Sequence, residues 1–142
     1  MKIKNCGLMN SYLFIEKNSI DFNYKGRITM TNVQTSVTKY QACIDACSKC
    51  LQVCNQCFNS CLMEPDAHAR GKCIKMLRLC ADVCNLAVET MTMDHSEAKY
   101  ICNVCRTICD ACATECYMFK DQHCQQCTDV CHQCANECAK MM

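Results

Sequence analysis

Apolar and polar residues alternate with a helical period from Cys43 to Cys61, and cysteine fills the apolar positions. Residues three and four apart lie on one face of an α-helix. The pattern therefore predicts an amphipathic helix with a stripe of thiols at the positions that leucine usually occupies in a helix bundle. The cysteines of this stretch are Cys43, Cys47, Cys50, Cys54, Cys57 and Cys61.

Three later segments carry the same stripe. In the second segment Met76 and Leu77 fill the gap between two widely spaced cysteines. The nineteen cysteines that fall on the four predicted helices are completed by Cys73, Cys80 and Cys84 in the second segment, Cys102, Cys105, Cys109, Cys112 and Cys116 in the third, and Cys124, Cys127, Cys131, Cys134 and Cys138 in the fourth.

Turn and capping signals separate these segments. The predicted boundaries are capping boxes at Thr38 with Gln41 and at Asp94 with Glu97, turns at 63–66 and 120–122, helices of about residues 39–62 and 65–91, and a last helix that ends near Met142. Connections of a few residues join antiparallel neighbours. We expect an all-α fold, an antiparallel up-down-up-down four-helix bundle with a cysteine-lined core. An open or swapped hairpin dimer is the alternative.

Residues 1–37 lack the stripe and are rich in Asn, Lys and Ser, with one isolated cysteine, Cys6. This composition predicts a disordered or loosely attached arm. A second interpretation is that translation begins at Met30 and that the arm is not part of the native product. We expect the metal-binding domain to be residues 38–142 and the arm to carry no function.

Composition and charge exclude several classes of function. The chain of 142 residues has 20 cysteines, 10 methionines and a formal net charge of +1, so we expect no nucleic-acid partner. Before Met30 the longest apolar run is Tyr12 to Ile15, too short for a secretory signal or a membrane span. We therefore expect a cytoplasmic protein whose thiols are kept reduced.

Several interpretations of the thiols compete. As plain core residues, cysteines would lose transfer energy and packing relative to leucine in many layers. Disulfides within one helix do not fit, because Cβ atoms three or four residues apart lie roughly 5–6 Å from each other and a disulfide requires about 3.5–4.5 Å. A thioredoxin-like protein has a single C-x-x-C motif, beside a βαβ unit. This sequence has six C-x-x-C pairs, and no strand pattern accompanies them.

Metal binding remains, and charge separates the candidate ions. A Zn²⁺ ion with four thiolates keeps a charge of −2, which is costly in a buried core with few cations. One Cu(I) per thiolate leaves the core neutral, and soft thiolate and thioether ligands favour Cu(I). Low-coordinate Cu(I) also suits the C-x-x-x-C pairs Cys43/Cys47, Cys80/Cys84, Cys112/Cys116 and Cys134/Cys138.

From about Tyr40 to Met142 the sequence resembles the four-helix-bundle copper storage proteins, in the cytosolic branch that lacks an export signal. The matching segments are YQACIDACSKC, CADVCNLAVE, and ICDACATEC followed by HCQQCTDVCHQCANEC. The resemblance implies a bundle that fills with many Cu(I) ions held mainly by thiolates, and association as a homotetramer. The N-terminal arm departs from the family pattern.

Soft side chains near the predicted bundle ends are candidates for the place where copper enters. His123 and Met118 lie near one end, and Met91 and Met93 lie near the other, while Met76 lies close to the stripe of the second helix. Each has an ordinary alternative, either as a solvated turn residue or as a packing residue. A copper chaperone is one candidate donor.

The sequence thus predicts storage or sequestration of several Cu(I) ions per chain, with no reaction catalysed. The number of aligned thiols exceeds what a shuttle or a sensor needs. A zinc or general soft-metal buffer and a thiol redox protein remain the alternative functions.

Overall fold

The computed structural model describes residues 20–22, 28–30 and 39–142, and the chain divides into two units, residues 1–36 and 37–142. In the first unit, two short strands, β1 (Ile20–Phe22) and β2 (Ile28–Met30), pair antiparallel with Ile20 opposite Met30. The sequence analysis did not predict this pair. Cys6 and the rest of the predicted arm lie outside the described residues, so the arm's disorder and the proposed domain boundary stay predictions.

The second unit contains four helices: α1 (Gln41–Met63), α2 (Gly71–Thr92), α3 (Ala98–Tyr117) and α4 (Gln122–Ala139). Each helix packs against the next, and α4 packs against α1, so the four form a closed square. Contacts between thiols show that α1 and α4 are antiparallel. Cys47, near the start of α1, lies next to Cys138 at the end of α4, and Cys61, near the end of α1, lies next to Cys124 at the start of α4. The predicted antiparallel four-helix bundle is confirmed.

The prediction that the second helix begins at Pro65 is wrong, because α2 begins at Gly71. Between these residues the backbone makes successive β-turns. The Ala67 amide donates to the Glu64 carbonyl, and the Arg70 amide donates to the Ala67 carbonyl. This tight connection brings the Arg70 side chain to the end of the bundle, where it is almost completely buried.

The predicted capping box of Asp94 with Glu97 is not formed, whereas Thr38 lies outside the described residues, so its capping box with Gln41 stays a prediction. The N-cap residues of α1 and α3 are Tyr40 and Glu97, and neither makes a side-chain capping bond. Asp94 has a left-handed backbone with φ of 49°, and its carboxylate pairs with Lys39 at 3.2 Å. His95 instead satisfies one backbone amide at the start of α3, because its Nδ1 accepts a hydrogen bond from the Glu97 amide.

The core of the bundle consists mostly of thiols. Its largest fully buried side chains are Leu77 and Met91, both on α2. Small alanines lie beside the thiols, and partly buried residues such as Phe58 and Ile108 pack around them. A buried thiol contributes less hydrophobic free energy than a buried leucine, whose contribution is about 1.5–3 kcal/mol. We therefore expect the metal-free bundle to have modest stability. None of the described helices is both long and apolar enough to cross a membrane.

Candidate metal centre

Helix periodicity brings the stripe of each helix into the centre of the bundle. All nineteen predicted cysteines between Cys43 and Cys138 are free thiols. Each is at most 3% exposed. The core is therefore a continuous column of sulfur, closed to bulk solvent.

Cys50 shows how the four helices combine. Its Sγ lies 3.9 Å from that of Cys80 on α2, 4.0 Å from that of Cys109 on α3 and 3.8 Å from that of Cys131 on α4. A metal–sulfur bond of about 2.3 Å places trigonal or tetrahedral sulfur ligands about 3.8–4.0 Å apart. The thiols are thus already spaced as ligands of a shared ion, and too far apart for a disulfide.

Candidate ligand sets overlap along the column. Two of them share Cys50 and Cys80, and another pair shares Cys54 and Cys131. Sharing of ligands favours a chain of bridged ions over separate sites. Sets whose ligand atoms all lie within 4.8 Å include Cys47, Cys105, Cys134 and Cys138; Cys50, Cys54, Cys80 and Cys131; Cys50, Cys80, Cys84 and Cys109; and Cys54, Cys112, Cys127 and Cys131.

Contacts within a single helix also occur, and two of the pairs singled out from the sequence, Cys80/Cys84 and Cys134/Cys138, each lie within one of these ligand sets. The C-x-x-x-C pairs with Sγ atoms 3.8–3.9 Å apart are Cys50/Cys54, Cys57/Cys61, Cys105/Cys109 and Cys127/Cys131. The choice between pairs depends on side-chain rotamers, which the spacing alone does not specify.

His123 joins the thiols at one end of the bundle. Its Nδ1 lies 3.4 Å from the Sγ atoms of both Cys57 and Cys124, and 4.0 Å from that of Cys61. Its Nε2 lies 3.0 Å from a carboxylate oxygen of Glu64. A carboxylate on one ring nitrogen orients the other toward a metal. These four residues, Cys57, Cys61, His123 and Cys124, are called the His123 group below.

The predicted methionines have different environments. Met91 is fully buried in the core, and Met76 is partly buried against it. Met118 and Met93 are 71% and 66% exposed, near opposite ends of the bundle. Among the five non-cysteine candidates, His123 is the one with an atom within hydrogen-bond distance of core thiols in the described residues.

Sequence reasoning missed Arg70. This residue is 5% exposed, and its Nη1 donates to the Sγ of Cys124 at 3.7 Å. Two aspartates hold the guanidinium, with Asp66 Oδ1 2.6 Å from Nε and Asp121 Oδ2 2.7 Å from Nη1. The sequence contains no signal for this contact, because an arginine in a connection is normally exposed.

Burial sets the protonation of the thiols in this region. Desolvation raises the pKa of the Cys61 thiol, and it raises the pKa of the Cys124 thiol to about 12. The Asp66 carboxylate raises the pKa of Arg70 further above its usual value, and Arg70 in turn lowers the pKa of Asp121. At neutral pH the metal-free site therefore contains protonated thiols beside a permanently charged guanidinium.

Comparison with known proteins identifies relatives with the same architecture. The family model described as copper storage protein matches residues 36–142. The Cu(I)-bound copper storage protein BsCsp3 of Bacillus subtilis is 45% identical with a TM-score of 0.70, and the match covers 72% of this chain and 98% of that chain.

Two further relatives are similar. A copper storage protein of Streptomyces lividans, loaded with 10 copper equivalents, is 30% identical with a TM-score of 0.70, over 72% of this chain and 82% of that chain. The uncharacterized cysteine-rich protein YhjQ of Bacillus subtilis is 46% identical over 65 residues, which are 46% of this chain and 60% of that protein. The aligned part thus spans less than two thirds of that curated relative. With its matched four-helix region and its thiol core, the chain belongs to the copper storage protein family.

Proposed function

We propose that this protein stores several Cu(I) ions per chain as thiolate complexes in the bundle core. The observation that carries the proposal is the column of nineteen buried free thiols, whose Sγ atoms lie 3.6–4.0 Å apart in contacting pairs. The proposed ligands are all nineteen cysteines of the four stripes. The Cu(I)-bound relative and the relative loaded with 10 copper equivalents support copper as the stored ion.

Charge balance is the physical reason to prefer Cu(I) to zinc. Among the described lysines and arginines, Arg70 alone donates a hydrogen bond to a core thiol. A core full of zinc tetrathiolates would leave a large uncompensated negative charge in a buried column. Cu(I) at one ion per thiolate leaves none. Copper homeostasis without catalysis is accordingly the role we propose.

Copper must reach a core from which bulk solvent is excluded. We propose that it enters at the His123 end, because His123 is both partly exposed and in contact with core thiols. We propose that Met118, near the same end, offers thioether sulfur to the incoming ion, and that Met93 does the same at a second entry at the opposite end. Buried Met91 and partly buried Met76 are proposed as auxiliary ligands beside the column.

Where the protein acts also belongs to the proposal. A Streptomyces lividans relative is described as a cytosolic copper storage protein. Together with the free thiols, this supports a cytoplasmic location, and we propose a copper chaperone as the donor. Residues 1–37 are proposed to add no ligand.

The decisive experiment is titration of reduced apoprotein with Cu(I) against a competing chelator. We expect tight uptake of more than about ten ions per chain with the helical circular dichroism spectrum kept, since the thiols already have ligand spacing. Because bound thiols lose their protons, uptake should release close to one proton per thiolate and weaken in acid.

The contradicting outcomes are specific. Saturation at one or two ions would rule out storage. Zinc that displaces Cu(I) would favour a zinc buffer, and reversible disulfide formation at a cytosolic potential, with helix retained, would favour a redox protein. Deletion of residues 1–29 is the matched control, for which we expect unchanged capacity.

A homotetramer is also part of the proposal, and the outer surface of α2 and α3 supports it. Large apolar residues are exposed along these two helices, at Leu79, Leu86, Tyr100 and Val104, and a second exposed group, Leu62 and Met63, lies at the end of α1. Contiguous exposed apolar residues mark interaction sites. On α2, Lys75 lies toward the N-terminus and Glu89 toward the C-terminus, whereas Lys72, Arg78 and Asp82 already form ion pairs within the bundle. Two α2 helices packed antiparallel across a two-fold axis would therefore place opposite charges together.

Replacing Leu79 and Leu86 with glutamate is expected to dissociate the oligomer, because like charges would then meet in the apolar face. Light scattering after size exclusion should show the mass per particle falling toward 16.1 kDa. The matched control is the pair Gln126→Glu and Gln133→Glu, two exposed positions seven residues apart on α4, for which the mass should not change. An unchanged mass in the Leu79→Glu/Leu86→Glu variant would contradict this interface.

A further inference from the structure

Arg70 is a nearly fully buried cation at the end of the thiol column. Its guanidinium contacts Asp66 from the α1–α2 connection and Asp121 from the α3–α4 connection, and it stacks over the Phe119 ring with 4.5 Å between its central carbon and the ring centroid. The planar fork of an arginine makes these contacts together, whereas a lysine could not. Such burial is costly and calls for a functional explanation.

The guanidinium faces the His123 group. Its Nη1 lies 3.7 Å from the Sγ of Cys124, which itself is 3.7 Å from Cys61 and 3.8 Å from Cys57. The side chains of Asp66 and Asp121 are 50% and 30% exposed, against 6% for Arg70. Water therefore screens the two carboxylates more than it screens the cation, and the hydrogen bond from the cation to Cys124 lies in the dry interior.

Charge counting shows what the cation changes. Three thiolates with neutral His123 carry a charge of −2 around one Cu(I) and −1 around two. In the remaining column, a partly filled site with more thiolates than ions would leave that excess buried without a partner. The guanidinium is already balanced by Asp66 and Asp121, but it still donates a charge-assisted hydrogen bond to Cys124, which stabilises a thiolate there. The His123 group is thus suited to bind copper while the rest of the column is still metal-free.

We infer that Arg70 is a positioning residue for the first Cu(I) ion, and that its hydrogen bond to the Cys124 sulfur raises the affinity of the His123 group for that ion. The inference rests on the proposed storage function. In this step Cu(I) leaves its donor complex and bonds to thiolate sulfur, each binding thiol releases its proton to water, and the oxidation state of copper does not change.

The test compares full-length, reduced wild-type protein with Arg70→Met and Arg70→Lys during titration with chelator-buffered Cu(I). Three readouts are needed: the affinity for the first ion, the total capacity, and the ring NMR signals of His123 at one Cu(I) per chain. Arg78→Met is the matched control, since Arg78 lies on α2 but pairs with exposed Asp82 and Asn55.

In wild type and in Arg78→Met, the His123 signals should shift at the first equivalent. In Arg70→Met, we expect first-ion affinity to fall about tenfold or more, as loss of one charge-assisted hydrogen bond implies, and the His123 shift to move to later equivalents. Total capacity should stay within about one ion of wild type, because neutral filling of the column does not require the cation. Arg70→Lys should recover part of the affinity.

Equal first-ion affinity and an equal His123 shift in Arg70→Met would overturn the inference, as would a first ion in wild type that leaves His123 unperturbed. If Arg70→Met lacks the wild-type helical spectrum, anomalous diffraction from wild-type crystals at one Cu(I) per chain decides: copper in the His123 group beside Arg70 supports the inference, and copper elsewhere overturns it. Failure of wild type to bind beyond two ions would instead refute the storage function.

Discussion

Filling the thiol column with Cu(I) is expected to raise the midpoint of thermal unfolding by more than about 20 °C. Each ion binds the folded state and joins helices, as the contacts of Cys50 with three other helices illustrate. A ligand present at a thousand times its dissociation constant stabilises by about 4 kcal/mol per site, and one kcal/mol shifts the midpoint of a small domain by roughly 4–8 °C. Calorimetry of metal-free and loaded protein measures the difference.

The control for this prediction is reversal. A chelator that strips Cu(I) should restore the metal-free midpoint. In the double variant Cys50→Ala and Cys131→Ala, the gain should be smaller, because both thiols belong to more than one overlapping ligand set. Equal midpoints for metal-free and loaded wild type would show that the ions lie outside the core.

The metal-free protein is expected to unfold in alkali, between about pH 9 and pH 12. A cysteine in an unfolded chain has a pKa of about 8.5, whereas burial raises the pKa of Cys124 to about 12 and also raises that of Cys61. The stability from such a thiol is complete below the unfolded pKa and is lost as pH rises toward the folded value. In that window, each thiol that stays protonated in the folded state lowers the free energy of unfolding by about 1.4 kcal/mol per pH unit.

Burial opposes the ionisation of every core thiol, because each is at most 3% exposed and a buried thiolate loses its hydration. A domain stabilised by about 5–15 kcal/mol cannot offset several such losses at once. Circular dichroism from pH 7 to pH 12 should therefore show loss of helix in the metal-free protein. Loaded protein is the control: its thiols are already deprotonated, so its spectrum should stay constant over the same range. Full helicity of the metal-free protein at pH 12 would contradict the expected cost of ionising buried thiols.

Helices with a thiol stripe could be predicted because the information is local. Spacing of three and four residues places cysteines on one helix face whatever the neighbours are. Helix ends were less predictable: Pro65 suits a first helical turn, yet α2 starts at Gly71 because the preceding residues form a tight connection. The Asp94 capping box failed for a comparable reason, since the Asp94 backbone is left-handed and its carboxylate pairs with Lys39.

The candidate site divides in the same way. Membership of the thiols in the core could be predicted from their stripe, and a soft ion could be predicted from their number and from charge. Contacts such as Cys47 with Cys138, or Cys57 with His123, could not, because they join residues 91 and 66 positions apart. Such contacts depend on how far each helix is shifted along its neighbour, and the connections and packing set that shift.

By itself, therefore, the sequence determined the helical class and the inward stripe of cysteines, which follow from local periodicity, and from total charge it predicts a monovalent soft ion. Tertiary structure alone decided which thiols share a ligand set, and it placed Arg70 against Cys124. The physical reason is that sulfur spacing and buried charge are properties of four helices packed together, and no single helix contains them.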